Sequence, residues 1–318
     1  MKKVLVTGST GYIGSAVASN LVQHSGYDLV VPVRTVSESG NRSCYQVLIN
    51  DIGDVPPSVF TQVDVVVHLA GKAHDLSGSQ DFIHEIRRIN LDATLDLARL
   101  ALSARVKKFV YLSSVGVCGD ATEHSAFTED SIPHPSTYYA KAKRDAENGL
   151  WDIVNDSSME LVIIRPPLVY SGSAPGNFGR LLRLVSLGLP LPFRHTDNSR
   201  SIIALDNLVD FIRLCIDHPS SGGNLFLISD GEDVSTEDIV RNLAQGMERR
   251  LVLFPFPQKV LRSLAVSLGK RRLYTQLFRS LVIDSAKARN TLSWDPPMTA
   301  KDGLVKAGRD YSQSQMDL

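Results

Sequence analysis

The sequence predicts an α/β protein built on a doubly wound, Rossmann-like parallel sheet with a smaller carboxyl-terminal lobe. Two observations support this prediction. Short apolar runs, rich in β-forming residues, alternate along the first half of the chain with longer stretches of helical period. The runs are also continuously apolar, as expected of strands that are buried on both faces of a parallel sheet.

The predicted strands are six apolar runs, at 3–7, 29–33, 46–49, 64–69, 108–113 and 161–165. After the first run, Ile13, Val17 and Leu21 recur at helical spacing, and a longer helical pattern spans 86–101. Pro32 does not fit the second run, because proline would remove a ladder hydrogen bond unless the strand ended there.

The chain is expected to divide near residue 165. Residues 1–165 are assigned to a dinucleotide-binding domain and 166–318 to a substrate-binding lobe, because Pro-, Gly- and Ser-rich stretches separate shorter elements after that point. The two parts are interleaved, since an apolar run at 225–229 is expected to return to the sheet.

Composition is that of an ordinary globular protein. Hydrophobic residues make up 43% of the 318 residues, and 34 Lys and Arg balance 34 Asp and Glu. This excludes intrinsic disorder, and zero net charge argues against a dedicated nucleic-acid binder. Widely spaced cysteines, the lack of a signal-peptide pattern and the lack of a long apolar run predict a cytoplasmic protein with free thiols and no membrane span.

A glycine-rich turn follows the first predicted strand directly and opens the first helix. Gly8, Gly11 and Gly14 let the backbone turn tightly and let a pyrophosphate approach the free N–H groups at the helix amino terminus. Tyr12 and Ile13 complete the turn. In this strand–turn–helix context the motif predicts a bound dinucleotide, and its GxxGxxG spacing favours a short-chain dehydrogenase.

The residues that follow the next strands refine the cofactor prediction. Arg34 follows the second strand, where an acid would bind the ribose hydroxyls of NAD(H), so NADP(H) is favoured and NAD(H) stays open; Arg42 is placed to assist. Further cofactor-facing residues are expected where the third and fourth strands end, namely Asp51, Ile52, Leu69, Ala70 and Gly71.

Three residues form a candidate catalytic group. Tyr139 and Lys143 are spaced i, i+4 and share one face of a helix, so the lysine ammonium, together with a cationic nicotinamide, would favour the tyrosine phenolate. Ser114 follows the fifth strand, at the edge where α/β sheets bind ligands, and is expected to hydrogen-bond the substrate oxygen that Tyr139 protonates or deprotonates. His68 lies in a buried strand, where a packing role is expected instead.

With these residues the sequence resembles the extended short-chain dehydrogenases/reductases, the NAD-dependent epimerase/dehydratase family, over essentially its whole length. The matching segments are TGSTGYIG (7–14), VVVHLAG (65–71), SSVGVCG (113–119), YYAKAK (138–143) and RPPLVY (165–170). Within the family it most resembles the bacterial UDP-4-keto-sugar reductases that form UDP-N-acetylquinovosamine. That closer likeness rests on GLPLPF (188–193), NSRSIIALDNLVD (198–210) and SDGEDVST (229–236).

The resemblance implies a role for the residues at the matching positions. Tyr139 would be the acid/base, Lys143 would hold the nicotinamide ribose, and Ser114 would orient the C4 oxygen of a sugar. Pro166, within RPPLVY, is implied at the cofactor.

The resemblance also implies the substrate contacts. Asn177 would meet a nucleotide sugar, and Arg200 would bind its diphosphate, for which a bidentate cation is suited. The Thr-Asp-Glu set of the family's dehydratases is replaced by Ser-Val-Gly at 114–116, so dehydration is not expected.

Three functions stay open at this point. The first is reduction of a UDP-4-keto-6-deoxy-HexNAc by NADPH for surface polysaccharide synthesis, and the second is 4-epimerisation of a UDP-hexose or UDP-HexNAc with tightly held NAD⁺. The third is a non-catalytic dinucleotide-binding sensor or assembly protein. By analogy with the family, a homodimer is expected through the helices near 82–104 and 138–155.

Positive charge is concentrated in one stretch. Residues 249–289 hold ten Lys or Arg and one acid, and leucines at helical spacing predict amphipathic helices there, the second through Leu273, Leu277 and Leu281. Three explanations stay open: a solvated helical face, attraction of an anionic nucleotide sugar, and peripheral contact with an anionic membrane surface.

Overall fold

The computed structural model describes residues 1–36, 44–72 and 79–316. Its centre is a sheet of seven parallel strands with helices on both faces, which confirms the α/β, Rossmann-like class. The strands of the described chain are β1 (Lys2–Thr7), β2 (Tyr27–Val33), β3 (Cys44–Leu48), β4 (Val65–His68), β5 (Lys108–Leu112), β6 (Glu160–Arg165), β7 (Leu168–Tyr170), β8 (Leu191–Arg194), β9 (Ile202–Ala204), β10 (Asn224–Leu227) and β11 (Leu253–Pro255).

The helices alternate with the strands in the first half of the chain and dominate the second half. They are α1 (Tyr12–Gln23), α2 (Gln80–Arg87), α3 (Ala93–Ser103), α4 (Tyr138–Val154), α5 (Gly176–Ser186), α6 (Leu205–Asp217), α7 (Thr236–Gly246), α8 (Gln258–Ser267), α9 (Arg271–Phe278), α10 (Ala286–Leu292) and α11 (Ala300–Met316). A π-helical turn, Arg88–Asp92, joins α2 to α3.

Sheet order explains where a ligand can bind. The order β10-β6-β5-β4-β1-β2-β3 places β1 between β4 and β2, with β3 beyond β2 at the edge of the sheet. The connections that leave the carboxyl ends of β1 and β4 therefore diverge, which opens a crevice at that edge. There the Leu69 amide donates to the carbonyl of Thr7 at 3.3 Å, so the two strand ends stay in contact.

Two apolar cores hold the sheet between its helix layers. On one face α1 and α6 cover the sheet, with Val17 and Phe211 fully buried. On the other face α3 and α4 do so, with Leu97 and Leu150 fully buried. Burial on both faces is the physical reason for the continuously apolar strands of the sequence.

A third core belongs to the second half of the chain. Helices α5, α7 and α11 bury Leu182, Leu243 and Leu304 around two small parallel pairs, β7 with β9 and β8 with β11. The run predicted at 225–229 returns to the main sheet as β10, which pairs with β6.

One expectation about the elements is confirmed and one is wrong. The second predicted strand, 29–33, forms part of β2, which runs through Pro32 to Val33 and pairs with β3. Its pairing with β1 stops at Val30, so Pro32 lies beyond the region that needs donors on both sides. Leu281 does not share the helix of Leu277, because the backbone becomes extended at Arg279; Leu281 instead forms a bridge with Arg200.

Two further properties of the described residues concern the cysteines and the length and polarity of the helices. Cys44, Cys118 and Cys215 are free thiols, as predicted. Among the residues described, no helix combines the length and the apolar character needed to cross a membrane.

Candidate active site

The glycines of the turn after β1 are required by the close approach of the chain to itself. Gly8 has a φ of +72°, and a Cβ there would lie 2.7 Å from the amide nitrogen of Ala70. A Cβ on Gly14 would lie 2.0 Å from the carbonyl oxygen of Gly8. Any side chain at these positions would therefore push β1, α1 and the end of β4 apart.

The same turn has the features of an anion-binding cradle. Gly11 caps α1 with no side-chain hydrogen bond, so the N–H groups of the first helical turn remain available to a ligand. The hydroxyl of Ser9 is buried and has no hydrogen-bond partner among the described residues. A bound phosphate would satisfy both groups, so the residues present fit the diphosphate of a dinucleotide.

The side chains of Tyr12 and Ile13 turn toward the protein. Ile13 packs on the core under α1. The Tyr12 hydroxyl donates to Ser171 at 2.9 Å, which ties α1 to the second half of the chain, and burial raises the pKa of Tyr12 to about 12. Tyr12 also lines a cavity of about 410 Å³ beside Ser173.

The cofactor residues predicted after β2 and β3 have different surroundings. Arg34 is exposed directly after β2, whereas Arg42 lies outside the described residues. Asp51 accepts two hydrogen bonds from Arg88, at 2.7 and 3.1 Å, and these lower the pKa of its carboxyl. Ile52 packs on the core under α3. The sequence did not indicate that Arg88 forms an ion pair with the Asp51 carboxylate.

The residues after β4 connect the glycine turn to Lys143. Leu69 and Ala70 are half-buried, and Ala70 lies under Gly8. Gly71 is exposed, and a Cβ there would stand 3.5 Å from the Nζ atom of Lys143. The residues after β4 therefore extend from the glycine turn to Lys143, along the path that a bound dinucleotide would take.

Tyr139 and Lys143 lie on the first turns of α4. Thr137 caps this helix through the amide of Ala140 at 3.1 Å, which fixes the tyrosine in the first turn. The Lys143 Nζ atom lies 5.9 Å from the centre of the Tyr139 ring and donates to the carbonyl of Leu112 at 2.9 Å. The two side chains thus share one face beside the end of β5, as the spacing predicted.

Burial shifts the pKa values of this pair in opposite directions. It lowers the pKa of Lys143 to about 8, against the opposing charge of Glu147, and raises the pKa of Tyr139 to about 12. The expected stabilisation of the phenolate is therefore not achieved by the lysine alone, because desolvation outweighs it. A positive charge bound in the crevice would lower the pKa of Tyr139 from that value.

Ser114 and Pro166 occupy neighbouring loops at the same edge. The Ser114 hydroxyl accepts from the amide of Gly116 at 3.1 Å, and the Val115 amide donates to the carbonyl of Pro166 at 3.0 Å. A Cβ on Gly116 would lie 3.3 Å from the Ser114 hydroxyl and 3.6 Å from the Cβ of Ala140. The serine loop therefore packs against the first turn of α4, next to Tyr139.

Sequence reasoning missed Asn90, which lies in the π-helical turn. Its side chain is fully buried, accepts from the amide of Lys72 at 2.8 Å and donates to the carbonyl of the same residue at 2.9 Å. It thereby holds the segment that follows Gly71. An asparagine within a stretch of helical period was the available signal, because asparagine is disfavoured in helix interiors.

A second group that was missed lies one turn beyond Lys143. Glu147 and Arg165 form a buried ion pair, with hydrogen bonds of 3.0 and 2.5 Å, and Ser113 donates to the same carboxylate. The signal available was an acid spaced i, i+4 from Lys143. This pair joins α4 to β6, one helical turn beyond Lys143.

His68 has the packing role that was predicted. Its ring is fully buried and hydrogen-bonded to the hydroxyls of Thr7 at 2.6 Å and Thr94 at 2.9 Å. Burial, followed by the charge of Lys143, lowers the pKa of His68 to about 3, so the ring is neutral at physiological pH. The histidine thus connects β1, β4 and α3 beneath the site.

The two predicted substrate contacts lie apart from Ser114, Tyr139 and Lys143, the candidate catalytic trio. Asn177 is exposed on α5, and its amide donates to Gln276 of α9 at 2.5 Å. Arg200 is buried, donates to the carbonyl of Arg279 at 2.9 Å and has no ion pair with a described carboxylate; burial lowers its pKa to about 10. No hydrogen bond or ion pair of the described residues joins either one to the trio.

Similarity to known proteins agrees with this geometry. The sequence profile of the NAD dependent epimerase/dehydratase family matches residues 4–229. A UDP-glucose 4-epimerase of Vibrio cholerae is 35% identical over 98% of this chain and 96% of its own length. The N-acetyl-α-D-glucosaminyl-diphospho-ditrans,octacis-undecaprenol 4-epimerase of Escherichia coli O157:H7 is 23% identical over 80% and 76% of the two chains.

Solved structures share the whole fold. The UDP-glucuronic acid 4-epimerase of Bacillus cereus, determined in complex with NAD, superposes with a TM-score of 0.78 at 21% identity and covers 98% of this chain and 99% of its own. The match over most of the chain and the whole-length relative lead to one conclusion. This protein is a member of the NAD-dependent epimerase/dehydratase family, the extended short-chain dehydrogenases/reductases.

Proposed function

We propose that the protein inverts the configuration at C4 of a UDP-linked hexose or N-acetylhexosamine, as a nicotinamide-dependent 4-epimerase. The observation that carries the proposal is the arrangement of Tyr139, Lys143 and Ser114 at one edge of the sheet, beside a glycine turn that fits a diphosphate. The whole-length relative from Vibrio cholerae, a UDP-glucose 4-epimerase, supports the reaction and the substrate class.

Tyr139 does the proton chemistry in this proposal. Its phenolate takes the proton of the C4 hydroxyl while the C4–H bond breaks, which gives a 4-keto sugar. A bound nicotinamide dinucleotide would accept the C4 hydrogen as hydride and later return it, and its oxidised ring would bring a positive charge into the crevice. Tyr139 then returns its proton to the C4 oxygen after the sugar has presented its other face, so that no net oxidation occurs.

Lys143 and Ser114 prepare Tyr139 and the sugar for this step. With a pKa of about 8, Lys143 is mostly protonated at neutral pH, and its ammonium stabilises the phenolate by its charge. Ser114 offers a hydroxyl to the C4 oxygen from the loop that packs against the first turn of α4. Glu147, one helical turn away, favours the charged form of the lysine and so opposes the larger effect of burial.

Arg200 is proposed to bind the diphosphate of the substrate. A buried guanidinium without a carboxylate partner among the described residues carries a large desolvation cost, which a bound anion would offset. Asn177, on the exposed face of α5, would add a polar contact to the nucleotide sugar.

Reduction of a UDP-4-keto-6-deoxy sugar is the second candidate, and Arg34 favours it. An exposed arginine directly after β2 would accommodate the 2′-phosphate of NADP(H), the reductant expected for this candidate. Replacing Arg34 with Gln should weaken NADPH binding and leave NAD⁺ binding nearly unchanged if this candidate is correct.

Cofactor retention and stoichiometry separate the two candidates. The purified enzyme is denatured and its released cofactor identified, and the native enzyme is separately mixed with NADPH and a UDP-4-keto-6-deoxy sugar. The 4-epimerase predicts co-purified NAD⁺ and turnover of a UDP-hexose without added reductant. One NADPH consumed per UDP-4-keto sugar, with no turnover of UDP-hexoses, would establish the reductase instead.

A further inference from the structure

Helices α8 and α9 and the strand before them expose an unusual number of apolar side chains. No residue of α8 is buried. Val260, Leu264 and Leu268, spaced i, i+4 and i+8, form a stripe along one face and are 45%, 50% and 67% exposed. Isolated exposed leucines are ordinary, whereas an aligned stripe on a helix indicates a face that is covered in use.

The stripe continues on neighbouring elements. Phe254 and Phe256 of the β11 segment are both exposed and contact each other edge to face, with 6.3 Å between their ring centres. Leu273 of α9 is also exposed. These residues and the α8 stripe are called the hairpin surface below.

The charge around the hairpin surface is of one sign. Residues 249–272 contain seven Lys and Arg and no Asp or Glu. All seven are exposed, and none makes an ion pair with a described carboxylate. They are Arg249, Arg250, Lys259, Arg262, Lys270, Arg271 and Arg272.

We propose that the hairpin surface docks on an anionic lipid bilayer. Apolar side chains ringed by unpaired Lys and Arg match a bilayer interface, where the apolar groups enter the acyl boundary and the cations meet acidic headgroups. A nucleotide sugar would pair with the cationic side chains but would leave the apolar stripe exposed to water. A second copy of the chain, packed symmetrically, would bring the two cationic clusters toward each other, which costs electrostatic energy.

The hairpin surface is also connected to the candidate substrate contacts. Gln276, on the same helix as Leu273, accepts the hydrogen bond of Asn177. The carbonyl of Arg279, just after that helix, accepts the hydrogen bond of Arg200. Docking would therefore turn the face that carries the candidate substrate contacts toward the membrane. Lipid binding itself would require no catalytic turnover.

Vesicle sedimentation tests this inference independently of the enzymatic reaction. The full chain is mixed with vesicles of phosphatidylcholine alone and with vesicles in which phosphatidylglycerol replaces part of it, at low and high salt. We expect binding to the anionic vesicles, little binding to the neutral ones, and release by high salt. Absence of binding to the anionic vesicles at low salt would overturn the proposal.

Paired variants separate the apolar contribution from the charges. Leu264→Gln with Leu268→Gln, and Arg271→Gln with Arg272→Gln, should each weaken vesicle binding by about tenfold or more, with unchanged melting temperature and turnover of soluble substrate. Ile132→Gln with Lys301→Gln, exposed positions elsewhere, should bind as wild type. Retained vesicle binding in both hairpin variants, or a wild-type dimer that the leucine variant converts to monomer in solution, would contradict a lipid-docking role.

Discussion

Tyr139 is the residue on which the proposed reaction depends most directly. Replacing Tyr139 with Phe removes the only hydroxyl that exchanges the C4 proton in this account, and packing of the ring against Phe82 and Ile86 is retained. Turnover should fall by about 10²- to 10⁴-fold, while cofactor and substrate still bind. Steady-state kinetics with a binding measurement on the same variant checks both parts.

The neighbouring tyrosine provides the control for that experiment. Tyr138 is 54% exposed and lies one residue earlier on α4, on a different face of the helix. Tyr138→Phe should therefore retain wild-type turnover. Equal losses in the two variants would show that the helix, rather than the Tyr139 hydroxyl, had been perturbed.

His68 predicts a specific loss of stability in acid. Its pKa is about 3 in the folded protein against 6.5 in the unfolded chain, so between these values only the unfolded chain binds the proton. Stability is then lost as pH falls through this window, by about 2 kcal/mol at about pH 5.

Denaturant unfolding at neutral and acidic pH measures that loss. The His68→Gln variant should be less stable than wild type at neutral pH but should lose less stability on acidification. His24→Gln, at an exposed position, should keep the wild-type slope. If His68→Gln left the loss of stability on acidification unchanged, that loss would have to come from other titrating groups.

At the residue scale the sequence predicted what depends on local spacing. Tyr139 and Lys143 share a face because a helix places i and i+4 together. The ion pair of Glu147 and Arg165 depends on how α4 packs against β6, and that packing is not written in any local pattern. The raised pKa of Tyr139 likewise follows from burial, which a motif does not reveal.

At the scale of elements, the turn from β1 into α1 tolerates no side chain. Gly14→Ala would place a Cβ within 2.0 Å of the Gly8 carbonyl, so the turn must open. We expect a loss of about 1–3 kcal/mol in stability and weaker dinucleotide binding. Gly26→Ala, where a Cβ would meet nothing within 4 Å, should leave both quantities nearly unchanged. Equal effects of the two substitutions, measured by denaturation and cofactor titration, would refute this explanation.

The contact between α4 and β6 depends on a buried charge pair. Glu147→Gln leaves Arg165 buried without a counter-charge, which should cost about 3–5 kcal/mol. Asp96→Asn breaks the exposed pair with Arg99 and should cost less than about 1 kcal/mol. Chemical denaturation of both variants tests the contrast, and a Glu147→Gln cost as small as that of Asp96→Asn would contradict it.

Long elements were predictable from the sequence, and short ones were not. The strands of the main sheet lie within two residues of their predicted ends, because continuous apolar runs mark them clearly. The pairs β7 with β9 and β8 with β11 have three or four residues per strand, too few to show a period. They form because the third core covers them.

At the scale of the whole molecule, the neutral net charge is a cancellation. Residues 249–289 hold ten of the 34 Lys and Arg and one of the 34 Asp and Glu, so the remaining 24 basic residues face 33 acidic ones. The cationic part carries the hairpin surface and touches the candidate substrate contacts. The division of the chain at residue 165 stays a prediction, and so does the homodimer.

Product analysis tests the central claim most directly. The purified enzyme is incubated with UDP-glucose or UDP-N-acetylglucosamine, without added reductant, and the sugar is followed by NMR. If the protein is a 4-epimerase, each sugar that the enzyme accepts is converted to an equilibrium mixture with its C4 epimer. Tyr139→Phe abolishes the conversion. Recovery of both unchanged sugars after prolonged incubation, with cofactor bound, would contradict the claim.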